Sequence, residues 1–320
     1  MKILIPAFYT KFRCKANLCT DSCCIGWDIF IDRQTLKKYK SITGFFGKRL
    51  KENIKGSRFQ LTKETRCPFL NTSDLCEIHT TLGENFLCEI CKEHPRFINH
   101  FFIYEERGLG LCCEEACRLL LESKSLSFTF SEEDIKVSKI SEEEFSALQN
   151  ILNVRNQIFE LLENKKMSFE EKLRKSFLIA KKFDGVKMPR TRFSFKNKNF
   201  KKKLVSYLNQ SESYNDSWKM ALEKINSETS FKELFSEKDL ALLFSYFIFR
   251  YFSKAFFDGN SAIKVLFGIA FVSVLKFFGN ALVQTKSKSL KNQKIDAIKL
   301  LSKQLEYSET NMKLFEDFFS

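Results

Sequence analysis

Apolar residues recur every three or four positions along much of the chain beyond residue 125. In residues 143–164, apolar residues with this spacing are Phe145, Leu148, Ile151, Leu152, Ile158, Leu161 and Leu162. This spacing predicts an amphipathic helix, because it places the apolar side chains on one face. Ser141 with Glu144 has the pattern of a capping box in front of this helix, and Ser168 with Glu171 opens a further helix in the same way.

Two later segments are apolar on most faces. A helix that begins near Ser236, with the sequence SEKDLALLFSYFIFRYFSKAFF, is therefore expected to lie centrally. The longest apolar stretch, residues 265–278, carries Lys276 and is short for a bilayer span, so it fits a buried core helix. The start, MKILIPAFYTKFRC, lacks the apolar segment and cleavage site of a signal peptide. We expect no membrane span and a cytoplasmic location.

Composition supports a mainly α fold. The 320 residues include 36 Phe but only 11 Gly and 4 Pro, so aromatic packing is abundant and turns that need Gly or Pro are few. The cysteines are Cys14, Cys19, Cys23, Cys24, Cys67, Cys76, Cys88, Cys91, Cys112, Cys113 and Cys117. We therefore predict a cysteine-rich domain over residues 1–125, with irregular loops and a few short strands, and a helical bundle over residues 126–320.

Three interpretations compete for these thiols. Disulfides need an oxidising compartment, but the count of 11 is odd and no export signal is visible. Inert burial suits Cys88, Cys112 or Cys117 taken singly, because a free cysteine packs as a small hydrophobe. Metal ligation explains the clustering, because several deprotonated thiols can converge on one cation. We therefore predict a metal or iron–sulfur site.

The spacing favours an iron–sulfur cluster without excluding zinc. Structural zinc sites usually use paired C-x2-C knuckles, and only Cys88 with Cys91 has this spacing. Iron–sulfur clusters accept thiolates from irregular loops. Adjacent thiols cannot easily bind one iron, so only one of Cys23 and Cys24 is expected to be a ligand. Three histidines in the same region complete the set of donors: His79, His94 and His100.

Four cysteine-bearing blocks carry a family resemblance. They are FRCKANLCTDSCCIGWDIFIDRQTLKKY (12–39), RCPFLNTSDLCEIH (66–79), LGENFLCEICKEHPRF (82–97) and GLGLCCEEACRLLL (108–121). Their order and spacing resemble the flagellin lysine-N-methylase family, which is itself similar to a wider group of zinc- or iron-chelating proteins with a terminal Cys-Cys pair. Beyond these blocks the aromatic stretch SYFIFRYFSK (245–254) is similar as well.

The resemblance implies a bacterial cytoplasmic protein-lysine N-methyltransferase. It would use S-adenosyl-L-methionine to methylate lysine amines of flagellin and would carry a cysteine-bound [4Fe-4S] cluster. By position, the resemblance assigns metal ligation to Cys14, Cys19, Cys23, Cys24, Cys67, Cys76, Cys91 and Cys113. Cys88, Cys112 and Cys117 are then additions of this sequence. His94 and Glu114 depart from the family motif, where phenylalanine and proline are expected.

The sequence does not show a familiar pocket for the methyl donor. The closely spaced glycines, at 44 and 47 and at 108 and 110, do not form the Gly-rich turn that follows the first strand in the common cofactor-binding fold. The C-x3-C-x2-C signature of radical S-adenosylmethionine enzymes is absent too, because Gly26 stands where its third thiol is required. Trp27 and Arg96 are the cofactor-binding candidates, although Trp27 also suits a core and Arg96 an ion pair.

Methyl transfer to lysine requires a proton acceptor. A lysine amine has a pKa near 10.4, and only its neutral form can attack a methyl group. Burial in an aromatic pocket lowers this pKa, and a carboxylate or tyrosine can take the proton. The candidates in the first block are Asp21, Asp28, Asp32 and Tyr39. Asp32 could equally be the N-cap of a helix RQTLKKYK.

A basic segment suggests a partner. Between residues 187 and 203, the basic residues are Lys187, Arg190, Arg192, Lys196, Lys198, Lys201, Lys202 and Lys203. Such a segment is often a solvated face. With Phe193, Phe195 and Phe200 interleaved and a net charge of +14, it could instead dock an acidic protein or nucleic acid. One alternative function is therefore a non-catalytic zinc- or iron-binding module that docks such a partner, and another is an RNA-binding protein with a structural cluster. Because no nucleic-acid-binding motif accompanies the charge, a protein substrate is favoured as the partner.

Overall fold

The described part of the chain is mainly helical, which confirms the predicted fold class. The structure is a computed structural model that describes residues 1–134, 139–185, 194–213, 215–228, 230–283 and 289–319. Its helices are α1 (Arg33–Ser41), α2 (Gly44–Glu52), α3 (Glu77–Leu82), α4 (Glu89–Glu93), α5 (Glu114–Ser123), α6 (Glu142–Glu163), α7 (Phe169–Asp184), α8 (Lys198–Gln210), α9 (Asp216–Ser227), α10 (Glu237–Tyr251), α11 (Ala255–Asp258), α12 (Ser261–Phe278), α13 (Leu290–Glu306) and α14 (Glu309–Phe319).

A small sheet joins the start of the chain to the end of the cysteine-rich region. The strands are β1 (Lys2–Pro6), β2 (Ile54–Lys55), β3 (Arg58–Phe59), β4 (Arg96–Phe101), β5 (Tyr104–Leu109) and β6 (Phe128–Glu132). Four of them form one sheet in the order β4-β5-β1-β6, in which β1 runs parallel to β5 and antiparallel to β6. β6 follows residue 125, so this sheet takes strands from both sides of the predicted domain boundary.

The predicted helix starts are confirmed. The Ser141 side chain accepts a hydrogen bond from the Glu144 N–H, and the Glu144 carboxylate accepts one from the Ser141 N–H, at the start of α6. Ser168 and Glu171 form the same reciprocal pair at the start of α7. A third capping box begins α10 at Ser236, the residue where the sequence predicts that helix to start. Each such cap contributes about 1 kcal/mol.

The two most apolar helices lie inside the protein. α12 runs for 18 residues, so it is longer than the apolar run that predicts it, and by length and composition alone it could span a membrane. The segment Glu237–Asp258 passes the same test. Of the most apolar 18-residue stretch in each segment, 83% is buried within the protein in α12 and 72% in Glu237–Asp258. This burial agrees with the predicted core helices.

The buried side chains form two separate clusters. The larger core is built mainly from α5 to α14 and includes residues of the sheet, such as Leu4 and Phe101. The smaller core lies within the cysteine-rich region, and its buried members are Ile29, Ile31, Tyr39, Leu50, Phe59, Cys67, Phe69, Ile78 and Cys88. A core this small provides limited stability by burial alone.

Two buried ion pairs connect elements around the larger core. Arg155 on α6 pairs with Glu106 on β5, and both side chains are almost fully buried. Arg250 on α10 pairs with Glu306 on α13, with the atoms 2.8 Å apart. Because each charge has lost most of its water, removing one partner of such a pair is costly.

Candidate functional site

The thiols are gathered in space but are not assembled around a common point. All eleven cysteines are free. Within residues 1–134 and the other described ranges, no three or more His, Cys, Asp or Glu side chains are arranged to hold a metal ion as they are placed. The thiols nevertheless separate into two groups, which meet at the adjacent residues Cys23 and Cys24.

The first group, here the outer thiol group, consists of Cys14, Cys19, Cys23 and Cys113. Burial raises the pKa of the Cys113 thiol to about 11, and the thiols of Cys19 and Cys14 act in the same direction. The pKa of the Cys23 thiol is raised by its hydrogen bond with Cys24 and by burial. Cys14 and Cys113 raise this pKa further, so these side chains lie within electrostatic reach of Cys23. Cys14 and Cys23 are also exposed to solvent.

The loop that carries most of the outer thiol group is tied to α5 through Glu114. The Glu114 carboxylate accepts hydrogen bonds from the Lys15 ammonium at 2.6 Å and from the Thr20 N–H at 2.9 Å. Although burial works against ionisation, the hydrogen bonds from Lys15 and Thr20 hold the pKa of Glu114 at about 2. Glu114 directly follows Cys113, so this departure from the family motif positions the loop against the fourth thiol of the group.

The same loop is tied to α13 through Asp21. Its carboxylate lies 2.6 Å from the Lys303 ammonium and 3.4 Å from that of Lys299. Burial opposes ionisation here as well, but the two ammonium groups lower the pKa of Asp21. Because Asp21 holds two cations, its carboxylate links the cysteine-rich loop to the helical part of the protein.

The second group, here the inner thiol group, consists of Cys24, Cys67, Cys76, Cys88 and Cys91. All five lie in or against the smaller core. Burial raises the pKa of the Cys67 thiol to about 12, and the thiols of Cys24 and Cys76 add to the shift. The Cys88 sulfur lies 3.3 Å from the Cys91 sulfur. The family resemblance omits Cys88, although its C-x2-C spacing from Cys91 was a signal in the sequence.

Cys23 and Cys24 stand at the boundary of the two groups. Their thiols hydrogen bond with each other, and this contact lowers the pKa of the Cys24 thiol to about 7. The Cys24 carbonyl accepts a hydrogen bond of 2.8 Å from the Cys67 N–H, which places Cys24 beside the inner group. Each residue of the pair therefore adjoins a different set of thiols.

Trp27 covers the junction between the thiol loop and α13. Its indole N–H donates to the Cys23 carbonyl at 2.6 Å, and its ring packs against those of His94 and Tyr307 with centroids 5.2 and 5.6 Å away. Burial lowers the pKa of His94 to about 4. Trp27 is therefore fixed by a hydrogen bond and two aromatic contacts.

Asp32 and Tyr39 are engaged in structural hydrogen bonds. Asp32 is the N-cap of α1, where its Oδ1 accepts from the Thr35 N–H at 2.9 Å, and its Oδ2 accepts from the Glu89 N–H at 3.0 Å. The Tyr39 side chain is buried, and its hydroxyl donates to the Phe86 carbonyl at 2.6 Å. The remaining candidate of this block, Asp28, forms an exposed ion pair with an arginine.

Arg96 lies at the edge of a groove between α4, β4 and the segment before α1. The groove has a volume of about 390 Å³ and is lined by Phe30, Ile31, Asp32, Glu89, Ile90, Glu93, Arg96 and Ile98. Phe30, Ile90 and Ile98 are exposed apolar side chains. With Glu89 and Glu93, they give the groove both apolar walls and carboxylates. Arg96 itself stacks on the Phe12 ring.

Two thiols and two histidines are not counted in either group, although Cys112 and Cys117 lie within electrostatic reach of Cys113. Cys112 and Cys117 are buried, and the Cys117 thiol donates to the Leu111 carbonyl at 3.0 Å. The His100 ring contacts the Glu105 carboxylate on the sheet. His79 is exposed at the end of α3.

Only part of the predicted basic segment can be placed. Lys187, Arg190, Arg192 and Phe193 lie outside the described residues. Phe195 packs against the rings of Phe169 and Phe277, and Phe200 is buried in the larger core. These two rings are therefore not available to stack on bases. The lysines of the predicted basic segment within the described residues are Lys196, Lys198, Lys201, Lys202 and Lys203. No feature of this described part supports the prediction that the segment docks a partner.

The amino-acid sequence is similar to those of three curated proteins from Salmonella. A protein named Lysine-N-methylase from Salmonella typhimurium strain LT2 is 29% identical over 160 residues, which are 47% of this chain and 40% of that protein. The same identity and coverage hold for a Lysine-N-methylase from Salmonella choleraesuis. A protein named Flagellar biosynthetic protein FliU, from Salmonella muenchen, is 32% identical over 127 residues, which are 36% of this chain and 75% of that protein.

The matched region spans less than half the length of the two lysine-N-methylases. No family model matches the chain. No solved structure matches it either.

Proposed function

Because the chain belongs to the lysine-N-methylase family, we propose that it transfers methyl groups from S-adenosyl-L-methionine to lysine side chains of flagellin in the cytoplasm. The names of the relatives support lysine methylation and a role in flagellar biosynthesis. A groove that combines apolar walls with carboxylates beside the cysteine-rich core is the structural feature that supports it.

The outer thiol group suits the iron–sulfur cluster that the family resemblance implies. Four thiols are the common ligand set of a [4Fe-4S] cluster, and this group supplies four from two segments of the chain. A bound cluster would supply one-electron chemistry near the solvent-exposed loop. The loop is anchored by Glu114 and Asp21, so its thiols are held against α5 and α13.

The groove provides what a lysine side chain needs. The exposed side chains of Phe30, Ile90 and Ile98 can pack along the four methylene groups of a lysine. Glu93 can pair with the ammonium group and then accept its proton, which leaves the amine neutral for attack on the methyl donor. Asp32 is a poorer acceptor, because the two backbone N–H bonds that it accepts outweigh burial and keep its pKa at about 2.

The direct test is a methyl-transfer assay with anaerobically purified protein. The protein is incubated with flagellin and methyl-labelled S-adenosyl-L-methionine, and modified lysines are mapped by mass spectrometry. We expect label on lysine side chains. If iron is bound but neither label transfer nor cofactor binding by calorimetry is detected, the protein is a metal-binding module and the proposal fails.

A pair of variants tests the groove. Glu93→Gln removes the proton acceptor and is expected to lower methyl transfer by roughly 10²-fold, the scale of general-base catalysis. Glu84→Gln removes an exposed carboxylate outside the groove and should leave the rate unchanged. Equal rates for the two variants would place the proton acceptor elsewhere.

A further inference from the structure

The strand β4 is an open edge of the four-stranded sheet. It stands at the end of the strand order and pairs with β5 on one side. Its six residues, Arg96–Phe101, pair one to one with β5, so no bulge interrupts the pairing, and they include no lysine or proline. Bulges, lysines and prolines are the usual devices that keep such an edge from pairing with another chain. β4 is therefore open to the addition of a further strand.

The register shows which main-chain groups of β4 face the open side. Just before the strand, the Gly110 N–H donates to the Pro95 carbonyl at 2.6 Å. Main-chain bonds in an antiparallel pair alternate, so the N–H and C=O groups of Ile98 and His100 are directed away from β5. Within the part of the chain that the structure describes, these groups have no main-chain partner.

The neighbouring residues agree with this register. The Leu109 N–H and C=O both bond the Tyr246 hydroxyl on α10, at 2.7 Å each, so they are not directed to Arg96 opposite. The side chains of β4 also alternate, because Asn99 is buried whereas Ile98 is 51% exposed. One face of the strand therefore packs on the protein, and the other is open beside the groove.

The groove along this edge is acidic, although the chain as a whole is strongly basic. The charged residues of its lining are Asp32, Glu89, Glu93 and Arg96. Carboxylates outnumber the guanidinium here, while the whole chain carries a net charge of +14. Complementary charge favours the encounter with one kind of partner and suppresses the other. The groove therefore favours a basic segment over an acidic one.

We propose that the substrate binds as an extended, lysine-bearing segment that pairs with the open edge of β4. This inference rests on the proposed function and specifies the form in which the substrate is recognised. The main chain of the segment bonds the outward N–H and C=O groups of Ile98 and His100, and main-chain bonds of this kind supply affinity whatever the side chains are.

The side chains of the added segment supply the selection of lysine. Successive side chains of a strand point to opposite faces, so every second one lies on the face where Arg96 and Ile98 line the groove. A lysine at such a position reaches the Glu93 carboxylate. Because main-chain pairing needs free N–H and C=O groups, we expect modified lysines to lie in extended or unfolded segments of the substrate and not within helices.

Amide hydrogen exchange of the full chain tests the pairing without the methyl donor. The probe is a short synthetic peptide in which threonine alternates with valine around one central lysine. We expect the Ile98 and His100 amides to exchange at least roughly tenfold more slowly with this peptide bound. The amides of Phe97 and Asn99, already directed to β5, should not change. A peptide that is N-methylated throughout, or that carries glutamate for lysine, should give no protection.

Two variants at one position separate main-chain pairing from side-chain packing. Ile98→Pro removes the outward N–H, whereas Ile98→Ala keeps it and shortens the side chain. Fluorescence anisotropy should show that the proline variant binds the peptide roughly tenfold more weakly than the alanine variant, the scale of a lost hydrogen bond and a displaced strand. The matched control is Phe130→Pro on β6, the opposite edge, where the alternation from the Met1–Glu133 pair directs the Phe130 N–H outward. It should bind the peptide as the wild type does.

The outcomes distinguish this inference from the proposed function. Equal peptide affinity of the two Ile98 variants overturns strand pairing, as does unchanged exchange at Ile98 and His100 or a dimer of the chain that protects the same amides. If Ile98→Pro does not fold by circular dichroism, the exchange of the wild type decides. Protection by the peptide without methyl transfer to flagellin overturns the proposed function alone, and methyl transfer without protection overturns strand pairing alone.

Discussion

Replacing Asp32 distinguishes a structural role from a catalytic one. The two oxygens of this carboxylate accept the N–H groups of Thr35, in the first turn of α1, and of Glu89, the first residue of α4. Asp32→Ala removes both acceptors. Asp32→Asn keeps one amide oxygen for the N-cap but presents an NH2 group to the Glu89 N–H.

The expected loss of stability follows from these two bonds. Loss of an N-cap costs about 0.5–2 kcal/mol, and the second hydrogen bond contributes about 0.5–1.5 kcal/mol. The Ala variant should therefore lose about 1–3.5 kcal/mol in the free energy of unfolding, and the Asn variant about half of that. Urea unfolding followed by circular dichroism should show midpoints lowered by roughly 0.5–1 M and half as much.

The pH dependence has a definite sign. Burial raises the pKa of Asp32, but the N–H groups of Thr35 and Glu89 outweigh it and lower the pKa from 3.8 to about 2. A carboxyl whose pKa is depressed by folding stabilises the protein above the unfolded value, and this contribution disappears as the pH falls from about 4 to about 2. The Ala variant should lack this part of the acid transition.

Methyl transfer by the Asn variant decides between the roles. As a cap, Asp32 contributes to stability and not to proton transfer, so we expect wild-type turnover per folded molecule below the melting transition. If the Asn variant is as stable as the wild type but transfers no methyl groups, Asp32 is the general base and our reasoning is refuted.

Three further predictions concern other parts of the protein. Arg155→Met leaves the Glu106 carboxylate buried without its arginine partner and should cost about 3–5 kcal/mol in urea unfolding. Lys219→Met, in the exposed pair with Asp216, should cost less than about 1 kcal/mol; equal losses would contradict the buried pair. Burial lowers the pKa of His94 from 6.5 to about 4. The contribution of the neutral ring to the free energy of unfolding is therefore complete above pH 6.5 and is lost as the pH falls towards 4. His94→Gln should make the free energy of unfolding less dependent on pH in that interval, and an unchanged pH dependence would argue against the buried ring. Glu114→Ala removes the carboxylate that binds Lys15 and Thr20, so the loop is no longer held against α5. Elemental analysis should then show less iron per chain than in the wild type. Full iron retention would show that these hydrogen bonds are not needed for iron binding.

Features set by neighbouring residues were predictable from the sequence. The capping boxes at Ser141 and Ser168 involve residues three positions apart, so their hydrogen bonds depend on little besides the local chain. The N-cap alternative for Asp32 is confirmed for the same reason. Helical periodicity identified most core-facing residues of α6, because one face of a helix is set by 3.6 residues per turn. It was wrong for Phe145, which is exposed in the first turn, and it did not indicate the buried Arg155.

Sequence also located the thiols, but it did not show how they are divided. The resemblance assigns metal ligation to eight cysteines without saying which of them lie together; in the structure these thiols lie in two groups, and Cys88 lies with the inner one. Cys23 and Cys24 are neighbours in the chain, yet they adjoin different thiols because the backbone passes between the smaller core and α5.

The amino-acid sequence by itself determined the mainly helical fold, the capped starts of α6, α7 and α10 and the concentration of thiols in the first part of the chain, because each depends on composition or on contacts a few residues apart. Tertiary structure alone decided which thiols meet, that Glu114 and Asp21 anchor their loop, and that Arg155 pairs with Glu106. These contacts join residues separated by 49 to 282 positions, and such pairs form only when the packing of the whole chain brings distant segments together.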